Sequence, residues 1–344
     1  MRRDRELRAG PGTAGPRIGL THGMTDYRND ARRVTLGASD LAVSPLCLGG
    51  NVFGWTADEA QSFAVLDAYA EAGGNFVDTA DMYASWVPGN TGGESETVIG
   101  NWLRSRGNRE AIVVATKVGM HPDAPGLRAA NVKRGAEESL VRLGVERIDL
   151  FYTHRDDPAT PVEEILTALD ELVREGKVRA IAASNIGAER LAESLAFSDR
   201  EGLARYVAVQ PHYNLVSRGT YEGRPAGVAA ANGLSAVPYY ALASGFLTGK
   251  YRPGGGEVPS ARAQGAARYL AEPRGPLVLE ALDKVAGARG VEPATVALAW
   301  LAARPTVASP IASARTVEQL PPLLAAIDLR LAEEEIALLD AASA

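Results

Sequence analysis

From about residue 33 onward, short apolar runs alternate with longer segments in which apolar residues return every three or four positions. The runs fall at 46–49, 75–78, 112–116, 148–152, 178–182, 207–210, 234–238 and 306–309. They are apolar without alternation, the pattern of strands covered on both faces of a sheet. Helix signals separate them. Thr56-x-x-Glu59 has the form of a capping box, and the helix it predicts stops at Gly73-Gly74. Thr160-Pro-Val-Glu163 has the same form with proline at the first helical position, followed by apolar residues at 162, 165, 166, 169, 172 and 173. Thr316-x-x-Gln319 is a third such box. Eight strands spaced by helices predict parallel βαβ units. They close most naturally into a single α/β domain over 32–344, a (β/α)8 TIM barrel, with an N-terminal β-hairpin beginning near Arg33. Residues 1–31 are rich in Arg, Gly and Pro and show no hydrophobic period, so a disordered tail is expected there, with Met24 an alternative start.

The competing architecture is a doubly wound dinucleotide fold, which needs Gly-x-Gly-x-x-Gly after its first strand. Here that place holds Gly49-Gly-Asn-Val-Phe-Gly54, with Asn51 where the second glycine belongs. The barrel is therefore preferred.

Composition narrows the function. The chain of 344 residues is 46% hydrophobic and 23% charged, ordinary values for a globular protein. A core of that size needs no disulfide, and the single Cys47 sits in an apolar run as a small buried hydrophobe. A net charge of −6 argues against nucleic acid as a partner. No apolar stretch reaches the ~18 residues of a membrane span, and no apolar leader follows the charged first residues, so a cytoplasmic protein without a membrane partner is expected. The four histidines, His22, His121, His154 and His212, lack the spacing of a metal-binding barrel, and no metal is expected. His212 is expected to pack at a strand end.

In barrel enzymes the working residues stand at the C-terminal ends of strands and in the loops beyond. Asp78 ends the second run and Tyr83 follows it by five residues; Lys117 ends the third run and His154 the fourth. Each alone has an ordinary explanation as a helix cap, a solvent-facing side chain or a core residue. Together they make a workable acid catalyst. A tyrosine hydroxyl, with a pKa of about 10, is a weak acid near neutrality. A lysine ammonium beside it favours the phenolate and lowers that pKa, and a carboxylate such as Asp78 would keep the buried lysine charged. A neutral imidazole can orient and polarise a carbonyl.

From about residue 33 to the C-terminus the chain resembles the aldo-keto reductase superfamily. The resemblance rests on Asn75-Phe-Val-Asp-Thr-Ala-Asp-Met-Tyr83, Ala115-Thr-Lys117, Tyr152-Thr-His154, Ala183-Ser-Asn185, Val209-Gln-Pro-His-Tyr-Asn-Leu215, Ser244-Gly-Phe-Leu-Thr-Gly-Lys-Tyr251 and Pro310-Ile-Ala-Ser-Ala-Arg315. It implies reduction of an aldehyde or ketone to an alcohol by hydride transfer from NADPH, with Tyr83 as general acid, Lys117 and Asp78 tuning it and His154 positioning the carbonyl. Histidine rather than glutamate at 154 looks like the carbonyl-reducing members. It further implies that Ser184, Asn185 and Gln210 hold the nicotinamide carboxamide and that Tyr239 stacks on its ring. Leu242, Ser244, Gly245 and Lys250 would cross the pyrophosphate. Ser313, Arg315 and Gln319 would take the adenosine end; a helix N-terminus beside Arg315 suits a 2′-phosphate, which favours NADP over NAD. Leu323 departs from the asparagine common in the family and puts the adenine contacts in question. The partner is a small carbonyl substrate, walled by Trp55, Trp86, the segment 87–90 and the long connection 254–275. Two other readings stay open: reduction of a nucleotide-linked keto-deoxysugar, and a non-catalytic NADP-binding regulatory subunit such as the potassium-channel β-subunits that resemble this family.

Overall fold

In the computed structural model, which describes residues 32–344 apart from 253, 257 and 259, the chain enters through an antiparallel hairpin. Its strands are β1 (Val34–Thr35) and β2 (Ala42–Val43). Eight parallel strands follow: β3 (Cys47–Gly49), β4 (Phe76–Asp78), β5 (Val113–Val118), β6 (Ile148–Thr153), β7 (Val178–Ser184), β8 (Tyr206–Gln210), β9 (Ser235–Ala236) and β10 (Ile311–Ala312). They pair in chain order from β3 to β9, with β10 against β3. Backbone bonds from Ala236 N–H to Thr306 O (2.7 Å), Ala308 N–H to Ala236 O (2.9 Å) and Ile311 N–H to Pro238 O (2.9 Å) close the remaining seam. The sheet is thus the expected (β/α)8 barrel.

Two apolar layers hold it. Cys47, Phe76, Ala115, Leu150, Tyr152, Ala182, Ala208 and Val237 fill the interior, and the hairpin's Leu36, Leu41 and Val43 pack against them with no exposed surface. The hairpin is bonded to the starts of strands, Gly37 N–H to Ser235 Oγ and Arg179 to Asp40, so it stoppers the N-terminal end. Gly37 has a φ of 51°, and a Cβ there would lie 2.2 Å from Val207 O; only glycine allows this approach. The second layer lies between the outer sheet face and the helices, with Trp102, Tyr69 and Trp300 fully buried. With the N-terminal mouth stoppered, the C-terminal mouth is the open end.

Several local expectations are corrected. The eighth run, 306–309, is not the strand: Val307 makes only an isolated bridge to Ala236, and pairing begins after Pro310, which has no N–H to give a ladder. The helix Glu59–Glu71 is capped by Asp58 rather than Thr56, with Asp58 and Gln61 each accepting the other's backbone N–H. A tight turn in which Gly54 N–H meets Ala57 O carries the chain past Thr56 before the helix starts. Thr160 does not cap Val162–Arg174; its hydroxyl donates to Asp157 at 2.7 Å. Thr316 makes no side-chain cap, whereas Gln319 does accept the Arg315 N–H at 2.9 Å. The connection 254–275 contains a helix, Ala263–Ala271. The tail 1–31, with Met24, lies outside the described residues. Among the described residues no helix is long and apolar enough to cross a membrane.

Candidate active site

A cleft of about 970 Å³ opens at the C-terminal mouth, and strand-end residues form its floor. Parallel pairing of β4, β5 and β6 puts Asp78, Lys117 and His154 at neighbouring strand ends. Lys117 has no exposed surface, and its Nζ donates to Asp78 Oδ2 (2.6 Å), Thr79 O (2.6 Å) and Tyr83 Oη (3.1 Å). Three donors meet three oxygens, so the buried ammonium is fully satisfied. The other Asp78 oxygen accepts from Gln210 Nε2 at 2.8 Å. The His154 ring lies 5.9 Å from that of Tyr83. The four residues picked out in the sequence therefore converge.

Their electrostatics depart from expectation at one point. Burial drives the Tyr83 hydroxyl up to about 12; Lys117 pulls it down but does not offset burial together with the Asp78 charge. The expected downward pull of Lys117 is present, and burial outweighs it in the site as it stands. Burial also opposes the Lys117 ammonium, yet Asp78 and Tyr83 hold its pKa above the ordinary lysine value. His154 is pushed well below the ordinary value by burial, then by Lys117 and Arg155, and is neutral. Its Nδ1 is buried without a hydrogen-bond partner among the described residues. A lone pair tolerates that better than an N–H, which favours the tautomer with the proton on Nε2.

Ser184, Asn185, Gln210 and Tyr239 line the adjoining wall. Asn185 adopts a left-handed φ of 49°, and its amide bonds His154 O, Ser184 Oγ and the Tyr239 hydroxyl. His212 stacks behind Tyr239, ring centroids 5.4 Å apart and 24° from parallel, so it buttresses that ring. Leu242, Ser244, Gly245 and Lys250 form the next stretch, where Tyr240, Ala243 and Ser244 all take positive φ. Strain of that kind in non-glycine residues is concentrated at ligand sites. Ser313, Arg315, Gln319 and Leu323 lie at the far end of the same cleft. Trp55 and Trp86 flank the mouth, edge to face at 5.5 Å. The segment 87–90 is not in the lining; Asn90 instead ties to Gly54 O. Cys47 is buried and free.

Several residues in or beside the site were not singled out in the sequence. Arg262 lines the cleft, donating to Asn51 Oδ1 (3.0 Å) and covering Trp55. Asn51, which stood where a glycine motif failed, also accepts from Ser313 Oγ at 2.9 Å. Asp81, two residues before Tyr83, is 3% exposed with Oδ1 unpartnered among the described residues; burial and then Glu96 raise its carboxyl to about 7. Its only sequence signal was a second carboxylate in the strand-end motif that carries Asp78 and Tyr83. Among the described residues no group of three or more His, Cys, Asp or Glu is placed to hold a metal ion.

The profile of the Aldo/keto reductase family matches residues 45–344. The oxidoreductase YrpG of Bacillus subtilis is 34% identical over 316 residues, 89% of this chain and 94% of its own length. A probable voltage-gated potassium channel subunit beta of Oryza sativa is 33% identical, covering 86% of this chain and 90% of its own. The norsolorinic acid reductase stcV of Emericella nidulans is 33% identical over 88% of this chain and 79% of its own.

Proposed function

Since the chain belongs to the aldo/keto reductase family of oxidoreductases, we propose that it reduces an aldehyde or ketone to the alcohol at the expense of NADPH. The observation that carries this reading is the buried ammonium of Lys117 held between Asp78 at 2.6 Å and the Tyr83 hydroxyl at 3.1 Å. NADPH, when bound, supplies the hydride that the carbonyl carbon accepts. Tyr83 gives the proton that the carbonyl oxygen takes up. At a resting value near 12 the hydroxyl keeps its proton throughout the physiological range and releases it only as the oxygen gains charge. The phenolate left behind faces Lys117, whose charge Asp78 maintains. His154, neutral, donates from Nε2 to the same oxygen and fixes its position.

The lining fits the cofactor. The wall of Ser184, Asn185 and Gln210 offers hydroxyl and amide groups for a carboxamide, and Tyr239, braced by His212, offers a flat face. Lys250 and Arg315 line the far stretch with no carboxylate in ion-pair contact among the described residues, as a site for phosphates requires. Arg315 beside Ser313 favours a 2′-phosphate, hence NADP over NAD. Leu323, buried at 4% exposure, leaves only apolar contact there for adenine.

The similarity to a channel β-subunit supports a second reading, an NADP-binding regulatory subunit. A panel of aldehydes and ketones, followed by loss of NADPH absorbance, separates the two. Turnover of at least one carbonyl compound at more than a few per second supports the reductase; binding of NADPH without any turnover supports the regulatory subunit.

A further inference from the structure

Arg155 is a cation at the mouth that the proposed reaction does not use. It directly follows His154, lines the cleft and is exposed. The cleft it lines is the one that holds Tyr83, the strand-end His154 and Tyr239. The two acids that follow it in the chain are spoken for. Asp156 pairs with Arg190 at 3.1 Å, and Asp157 accepts from Leu127 N–H at 2.9 Å and from the Thr160 hydroxyl at 2.7 Å. Among the described residues no carboxylate is in ion-pair contact with Arg155. Arg262, the nearest rival, is committed to Asn51 and the face of Trp55.

Apolar surface surrounds the same mouth. Trp86 is 44% exposed and Tyr240 42% exposed, two of the few large apolar side chains left open among the described residues. Trp55, Met82 and Met120 complete the wall. Open aromatic faces and polarisable thioethers beside a polar centre suit a flat ring.

We propose that Arg155 is a specificity-determining residue, selecting aryl aldehydes or ketones that carry a carboxylate. The ring lies among Trp55, Trp86 and Tyr240, the carbonyl reaches Tyr83 and His154, and the carboxylate meets the guanidinium. This rests on the reductase reading above. A planar guanidinium can take a carboxylate through two parallel charge-assisted bonds, which an uncharged ester cannot accept equally.

The test compares 4-carboxybenzaldehyde with methyl 4-formylbenzoate, which share the ring and the aldehyde and differ in charge. In the native protein the kcat/KM ratio of acid to ester should exceed that of Arg155→Gln by about tenfold, the lower end for a charge-assisted bond at a solvent-facing site. Arg155→Lys should fall between them. In the unmutated protein at saturating NADPH, added salt should lower kcat/KM for the acid while leaving the ester unaffected, a readout independent of any variant's folding. An acid-to-ester ratio that is unchanged in Arg155→Gln overturns the assignment, as does a variant that weakens NADPH alone, which would place Arg155 on the cofactor. If the native protein reduces the ester but shows no salt-dependent preference for the acid, the inference fails and the reductase reading survives. If neither aldehyde nor any other carbonyl compound is reduced, both fall.

Discussion

At one end of the cleft Lys117 is wholly buried, and each of its three donors meets an oxygen of Asp78, Thr79 or Tyr83. Elsewhere in the cleft lining, the exposed Lys250 and the half-buried Arg315 have no carboxylate in ion-pair contact among the described residues. Burial explains the contrast. A charge removed from water must carry its partner with it, whereas an exposed cation can wait in solvent for a ligand to supply one. The closed set is suited to holding and moving a proton, and the open set to receiving phosphates.

Breaking the closed set should have the largest effect. Asp78→Asn leaves the Lys117 ammonium buried beside a neutral amide, and removing one partner of a buried pair costs about 3–5 kcal/mol. Urea unfolding measures it. A loss below about 1 kcal/mol would mean that water reaches Lys117 and that the set is not closed.

Breaking the open set should cost less and act on binding alone. Arg315→Ala should weaken NADPH by about 10- to 150-fold, the equivalent of roughly 1.5–3 kcal/mol, while NADH, lacking the 2′-phosphate, is hardly affected. Fluorescence titration of both cofactors gives the ratio. Equal weakening would mean that the Arg315 side chain supports the loop rather than reading the phosphate.

The smallest effect needs no mutation. Exposed charges are screened by salt and buried pairs are not, so raising ionic strength from about 0.05 to 0.5 M should raise the NADPH Kd a few-fold. Saturated turnover, governed by the closed set, should stay level. If kcat falls in parallel, the two ends are not electrostatically separate.

What the sequence made legible follows the same division. Asp78, Tyr83, Lys117 and His154 could be found because a parallel barrel brings every strand end to one mouth, so order along the chain becomes proximity in space. The balance on Tyr83 could not be found that way. Residue types supply the sign of each interaction, but only the fold says that burial outweighs Lys117. The eighth strand was placed a few residues early: the short run Thr306-Val-Ala-Ser309 precedes Pro310, whereas the residues that pair with β3 are Ile311–Ala312, just after it. Asn51 looked like a defect in a glycine motif, and its use became visible only with Arg262 and Ser313 bonded to it from far along the chain. Arg262 lies just before the helix Ala263–Ala271, within the connection 254–275 that was expected to wall the pocket and does line the cleft, but no periodic signal in that stretch singled out this residue.

If the closed set delivers a proton through Tyr83, the reaction should slow sharply when that hydroxyl is removed. Tyr83→Phe keeps the ring against Trp86 and His154 and removes only the hydroxyl. Single-turnover oxidation of bound NADPH by a reducible aldehyde, with cofactor affinity titrated alongside, tests it directly. The rate should be lower by about 100-fold or more, within the range for losing a general acid, at an NADPH Kd near that of the native protein. A single-turnover rate close to native would contradict this role and remove Tyr83 from the reaction.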